Sequence, residues 1–215
     1  MPDLAPRFVR RVILPAAYLV LSGGFAISGV IFYRARPFDV KAAILSDLES
    51  PDDNPHGYGA AAAGTAASAA LLAPAAIVFF QQLRRGHPKL AMAGVGMFAV
   101  GLGAAMAIGI LAPYTRGYTP VHVQLAYAAF IGICAGTWLD LLAARAAPAA
   151  IAIQGAVLVF LVYLYVGPDF INNDRLVTSL AFLEWLLCVD CGLALWALAK
   201  AVQGTDRAGA GRDRR

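Results

Sequence analysis

Three ionisable residues lie inside long apolar stretches of the sequence, namely His122, Glu184 and Asp190. A charged side chain at the centre of a bilayer costs about 2.5–3.5 kcal/mol on insertion scales, and residues of this kind commonly mark functional sites. A buried carboxylic acid can bind or protonate a polar group, and an imidazole can act as its partner. These three residues are therefore the first candidates for chemistry.

Their spacing along helices separates the two acids. Glu184 lies about 12 Å from the outer end of its predicted helix at 1.5 Å per residue, whereas Asp190 falls near the middle. Asp190 is rotated about 120° from Glu184, so the two acids are expected to have different partners. His122 lies just inside the outer end of another predicted helix.

The functional interpretation places Glu184, His122 and the outer-loop acid Asp47 around one outward-facing polar pocket. Such a pocket would bind the head group of a membrane lipid, and Arg116 would attract a phosphate on that head group. The structural alternative is that Glu184 hydrogen-bonds to a neighbouring helix or a loop backbone, and that His122 lies at the membrane interface. The sequence alone leaves both the functional interpretation and the structural alternative open.

Asp190 has its own alternatives. A bond to Gln154 or Tyr163 on a neighbouring helix would make it a buried polar residue of structural importance. A role in proton or small-solute transport is the weaker hypothesis. Asp190 and Gln154 are therefore predicted as buried polar residues.

No metal or cofactor site is predicted. Cys188 and Cys191 form a CxxC pattern, but no second ligand pair lies at that depth to complete a tetrahedral zinc site. A haem held between two helices by histidines needs a facing pair, and His56 and His87 fall on opposite sides of the membrane. The sequence motifs of zinc proteases, serine hydrolases and nucleotide-binding proteins are absent, so nothing indicates an enzyme.

The composition predicts the kind of structure that positions these residues. Hydrophobic residues make up 60% of the 215 residues and charged residues only 14%. A soluble domain has about 25% charged residues, so this chain must expose apolar surface to lipid. The composition predicts an all-α polytopic membrane protein, since strands in a bilayer would need a closed barrel with polar alternation.

Six stretches have the roughly 20 apolar residues needed to cross the hydrocarbon core. They are predicted at about 12–33, 58–83, 90–113, 121–142, 149–166 and 176–199. Together they form a six-helix domain over residues 1–202, with an outer loop at 34–57. Within that loop, Val40, Ile44, Leu45 and Leu48 have helical spacing, which favours a short interfacial helix.

The basic residues set the predicted orientation. Twelve of the 17 Lys and Arg residues fall on the side of the termini and five on the other side. By the positive-inside rule both termini are cytoplasmic, which fits a plasma or inner membrane. Topology thus explains the net charge of +4, and no nucleic acid is expected as a partner. Residues 203–215 form a basic tail that is expected to be mobile.

Small residues suggest close helix packing. Glycines recur along the third helix, and Gly132 and Gly136 form a GxxxG pattern in the fourth. Such faces let helix backbones approach closely in lipid.

Several short motifs resemble one family. They are Ala43-Ile44-Leu45-Ser46-Asp47 with Asn54-Pro55, Pro120-Val121-His122, and Phe182-Leu183-Glu184-Trp185. They resemble the six-helix membrane proteins grouped as damage-regulated autophagy modulators (DRAM), Frag proteins of GPI-lipid remodelling, and Sfk-type proteins. The acid that this family carries in a Pro-Glu pair is replaced by Pro51-Asp52. The resemblance implies a lipid-linked role and adds Trp185 to Asp47, His122 and Glu184 as expected site residues.

Two main functions follow as hypotheses. The first is a protein that binds or helps remodel lipid through its outward-facing polar pocket. The second is a non-catalytic accessory subunit that docks onto other membrane protein chains through its small-residue faces. The expected partners are membrane lipids in the first case and membrane proteins in the second.

Overall fold

A computed structural model describes residues 4–34, 37, 45–114, 119–167, 171 and 175–212. Every regular element among these residues is a helix, which confirms the all-α prediction. Six helices are long and apolar enough to span a membrane. Large apolar side chains cover their outer faces, with Leu19 and Val159 among the most exposed. The chain is therefore a multi-pass integral membrane protein.

The first span, Ala5–Phe32, contains three consecutive elements. These are α1 (Leu4–Phe8), a π-helical stretch (Val9–Ile13) and α2 (Leu14–Phe32). The helix begins earlier than the predicted residue 12, because arginine is a good helix former and the basic segment continues the helix beyond its apolar part.

The remaining helices follow in chain order. They are α3 (Leu45–Glu49), α4 (Tyr58–Leu83), α5 (Pro88–Leu111), α6 (Pro120–Ala143), α7 (Pro148–Val166), a 3₁₀ turn (Leu176–Thr178) and α8 (Leu180–Arg212). The helix α3 agrees with the short helix predicted in the outer loop, although Val40 and Ile44 lie outside the described residues. The helix α8 continues well past the predicted end at 199, and the mobility of residues 203–215 stays a prediction.

Proline starts three of these helices. Pro88, Pro120 and Pro148 occupy the first positions of α5, α6 and α7, where a missing N–H has no helical partner to lose. In α6 the hydroxyl of Thr119 also accepts a hydrogen bond from the backbone N–H of His122, at 3.4 Å. This N-cap fixes the first turn of α6 and the position of His122 in it.

Small residues bring four helices together in the sequence α2–α4–α5–α6. A Cβ added at Gly24 would lie 2.9 Å from the Cα of Gly64, and one at Gly132 would lie 2.7 Å from the Cα of Gly101. A Cβ at Gly109 would collide with the backbone of Ala62. Each pair of backbones is therefore in direct contact, as expected of apolar helices that gain packing energy in lipid.

The two ends of the bundle are closed by different clusters. At the end that carries the chain termini, Phe79, Phe98, Leu141 and Leu198 form the centre of the main core. At the opposite end, Leu45 and Leu48 of α3 pack against α2 and α4. A cavity lies between these clusters.

Candidate ligand-binding cavity

The cavity between the helices has a volume of about 630 Å³. Helices α2, α3, α4, α5, α6 and α8 contribute to its wall, whereas α7 does not. The wall is mainly apolar, with Leu72 on α4 and Trp196 on α8 at the end far from α3. Ser46, Glu49, His122 and Glu184 form a polar end beside α3.

The long dimension of the cavity follows the helix axes. Its wall on α8 runs from Glu184 to Trp196, about 18 Å at 1.5 Å per residue, and on α6 from His122 to Ile133, about 16 Å. Half of a hydrocarbon core about 30 Å thick is about 15 Å. The cavity therefore has roughly the depth of one bilayer leaflet.

Residues of the cavity wall reach the outer surface of the bundle at the seam between α2 and α8. Tyr18, Val189 and Trp196 line it and are also 38%, 50% and 49% exposed on the lipid-facing surface. The Tyr18 hydroxyl crosses this seam and donates a hydrogen bond to the carbonyl oxygen of Cys188 at 2.6 Å. Gly192 leaves room for the ring, since a Cβ there would collide with it. One hydrogen-bonded aromatic side chain thus bridges the opening.

Glu184 joins α8 to α3. The backbone N–H of Leu45 donates to Glu184 Oε2 at 2.7 Å, and the Ser46 hydroxyl donates to Oε1 at 3.5 Å. The structure therefore contains the hydrogen bond to the loop backbone that the structural alternative describes. Glu184 also lines the cavity, so the same carboxyl group anchors α3 and forms part of the polar end.

Glu49 is a second acid of the polar end that the sequence interpretation did not select. Its side chain is only 6% exposed, and its Oε1 accepts a hydrogen bond from the hydroxyl of Thr65 on α4. Burial raises the pKa of Glu49 from 4.5 to about 7, although the Thr65 bond opposes this shift. A signal existed in the sequence, because Leu48 and Glu49 follow Leu45 by three and four residues, the spacings that share one helix face.

His122 has the predicted place at the start of α6. Its side chain is 7% exposed and lines the cavity. Within the described part of the chain, no hydrogen bond to its imidazole is found, and its backbone N–H is the group that bonds to Thr119. The imidazole is thus one of the polar groups on the cavity wall.

The other predicted site residues lie around this cavity or outside the described structure. Asp47 is half-buried on α3 and near Glu184, but it does not line the cavity. Trp185 packs edge-on against Phe25, with ring centroids 5.8 Å apart, and also does not line it. Arg116 falls outside the described residues.

Asp190 lies on α8 beside Gln154 of α7 and not on the cavity wall. Gln154 is 2% exposed, and among the described residues its Nε2 and the Oδ2 of Asp190 have no hydrogen-bond partner. A third buried polar residue, Asp140 on α6, was missed from sequence. It is 1% exposed and lies against Gly94, where a Cβ would collide with its carboxylate.

The cysteines pack near the middle of the bundle. Cys134 and Cys191 bring their sulfur atoms to 3.8 Å, and all three cysteines are free thiols. Among the residues that the structure describes, no three His, Cys, Asp or Glu side chains are arranged to hold a metal ion.

Comparison of the chain with protein-family models, with curated proteins and with solved structures found no match. The fold and the site are those of a six-span membrane protein with a cavity about as deep as one leaflet and polar at one end. The resemblance to the DRAM, Frag and Sfk proteins stays a prediction.

Proposed function

We propose that this protein binds a membrane lipid in the cavity, with the hydrocarbon part along the apolar wall and the head group beside Glu49, His122 and Glu184. The observation that carries the proposal is the lining of the cavity, which extends over about the depth of a leaflet, is polar at one end and includes residues exposed to lipid between α2 and α8. A small polar solute would need polar groups along the whole wall.

The polar end would supply the selectivity. A lipid tail gains little by moving from bilayer to an apolar cavity, because lipid tails are as apolar as leucine side chains. Filling a cavity adds dispersion contacts that an empty wall lacks. Discrimination between lipids then depends on the hydrogen bonds that the polar end offers to each head group.

The orientation belongs to the same proposal. The excess of Lys and Arg at the end that carries the termini supports cytoplasmic termini in a plasma or inner membrane. In that orientation the polar end lies towards the outer surface, and the cavity faces the outer leaflet. Binding would support transfer or remodelling of outer-leaflet lipid. The accessory-subunit and transport hypotheses stay predictions from sequence.

Filling the cavity tests the proposal. Ala126 on α6 lines the cavity, whereas Ala156 on α7 is exposed on the outer surface. Ala126→Phe should remove most of the lipid that co-purifies with the protein, and the matched Ala156→Phe should leave it in place. Native mass spectrometry in a mild detergent gives the amount of bound lipid. Equal amounts in both variants would refute binding in this cavity.

A further inference from the structure

We infer that the ligand of this cavity is an uncharged lipid whose head group carries hydroxyl groups, such as an acylated glycerol. This inference rests on the proposed function, because it names the chemical class of the lipid that the cavity would hold. It differs from the phosphate-bearing head group predicted from the sequence.

The charges at the polar end disfavour an anion. Two carboxyl groups, Glu49 and Glu184, line this end, and none of the described residues of the wall is Lys or Arg. A buried phosphate or carboxylate without a counter-charge carries a large desolvation cost, and these acids would add repulsion at any pH where they are ionised. An uncharged head group avoids both costs.

The hydrogen-bonding groups at this end need a ligand that both donates and accepts. A carboxyl group of glutamate has acceptor sites on two oxygens, and Thr65 occupies one oxygen of Glu49. His122 is only 7% exposed, and no hydrogen bond of its imidazole is found among the described residues. A neutral imidazole carries one donor and one acceptor. A hydroxyl group also does both, so it can satisfy Glu49 and His122 together.

Glu184 serves a different purpose at this end. Its two oxygens already accept hydrogen bonds from Leu45 and Ser46. It therefore has less capacity left for a ligand and holds α3 over the head-group position. Glu49 and His122 approach from α3 and α6, so the hydroxyl groups would lie between two elements.

The opening between α2 and α8 identifies the bilayer as the source of the ligand. Its rim is formed by apolar and aromatic residues that are exposed to lipid, including Val189 and Leu193. A lipid with an uncharged head group can pass such an opening more easily than a charged one, since a charge in hydrocarbon is costly.

Three probes with the same oleoyl or oleyl chain separate the head-group classes. Monoolein offers hydroxyl groups, oleic acid at mildly alkaline pH is an anion, and oleylamine is a cation. Each is titrated into the full-length protein in mild detergent, and bound ligand is read by native mass spectrometry. Monoolein should bind most tightly, and oleic acid at least tenfold more weakly. Equal or tighter binding of oleic acid or oleylamine would overturn the inference.

Variants identify the side chains that bind the head group. His122→Phe should weaken monoolein binding by about tenfold, the loss expected for one hydrogen bond to a buried polar partner. Glu49→Gln should weaken it by less, since its amide offers the hydroxyl group an N–H in place of an acceptor oxygen. Asp52→Asn, an exposed acid three residues from Glu49, is the matched control and should bind as the unaltered protein does. If neither Glu49→Gln nor His122→Phe changes binding, the assignment is wrong.

The cavity-filling variant distinguishes a failure of this inference from a failure of the proposed function. If Ala126→Phe removes a co-purified lipid that proves to be anionic, lipid binding in the cavity is supported, but the inference of an uncharged head group with hydroxyl groups is wrong. If Ala126→Phe leaves the co-purified lipid unchanged, both fall.

Discussion

Glu49 and Glu184 approach the same cavity from α3 and α8, and each is held by a different donor. Glu184 accepts from the backbone of Leu45, whereas Glu49 accepts from the hydroxyl of Thr65. A hydrogen bond to a buried carboxylate offsets part of the cost of removing it from water. The two acids therefore differ in their contacts: Glu184 positions α3, and Glu49 is the acid that the proposed function assigns to the ligand.

The titration of Glu49 should make folding stability depend on pH. Its pKa is about 7 in the folded protein and 4.5 in the reference state, because burial disfavours the charged form. The folded state thus binds this proton more tightly, and raising the pH favours unfolding. The contribution is present below about pH 4.5, is lost as the pH rises through about 7, and amounts to about 3 kcal/mol.

Glu49→Gln should remove this part of the pH dependence. Thermal unfolding in detergent, compared at about pH 5 and about pH 8, should show a smaller loss of stability for the variant than for the unaltered protein. Glutamine keeps an oxygen that can accept from Thr65, so the change tests charge more than packing. An identical pH profile for both proteins would contradict the prediction.

At the scale of elements, glycine decides how closely the helices approach. Gly132 lies with its Cα against Gly101, whereas Gly103 faces open space with nothing within 4 Å of an added Cβ. The GxxxG pattern of α6 therefore corresponds to a real contact with α5. Along α5 itself, Gly101 and Gly109 face neighbouring helices, but Gly96 and Gly103 do not.

Gly132→Ala and Gly103→Ala form a matched pair. The first must force α5 and α6 apart and should cost about 1–3 kcal/mol of stability, as overpacking does. The second should be neutral or stabilising by up to about 1 kcal/mol, since alanine favours the helix over glycine. Chemical or thermal unfolding measures both. Equal changes in stability for the two variants would show that α5 and α6 accommodate a methyl group at Gly132 without loss of stability.

The seam between α2 and α8 depends on one side-chain bond, from Tyr18 to the carbonyl of Cys188. Tyr18→Phe keeps the ring beside Gly192 and removes only the donor, at a cost of about 1 kcal/mol. We expect faster exchange of bound lipid with little change in the amount bound at equilibrium. Exchange is followed with isotope-labelled lipid, and Tyr114→Phe, at an 82% exposed position, is the control. Unchanged exchange would mean that this bond does not limit passage.

At the scale of the whole molecule, the six spans place α3 and the chain termini at opposite ends of the bundle. Gly86 lies in the exposed turn between α4 and α5, and Tyr114 follows α5 at the other end. In a background without the native cysteines, an impermeant maleimide added to intact cells should label Tyr114→Cys and spare Gly86→Cys until the membrane is opened. The reverse pattern would invert the proposed orientation and place the cavity in the inner leaflet.

The sequence by itself determined the membrane class, the six helices and most of their bounds. Apolar length is sufficient for this, because a bilayer requires every backbone group of a spanning segment to be paired within a helix. It also placed His122 and Glu184 near the same end of the helix bundle. The helical rotation between Glu184 and Asp190 placed these two acids on different faces of α8. Both results follow from helical geometry alone.

Only the tertiary structure decided which faces of the helices meet. These helices are apolar on all sides, so the sequence pattern that marks the buried face of a helix in water is missing in lipid. For that reason the sequence did not reveal the cavity or the place of Asp140 against Gly94. Contacts between small residues fix the arc α2–α4–α5–α6, and the looser seam with α8 leaves the cavity beside it.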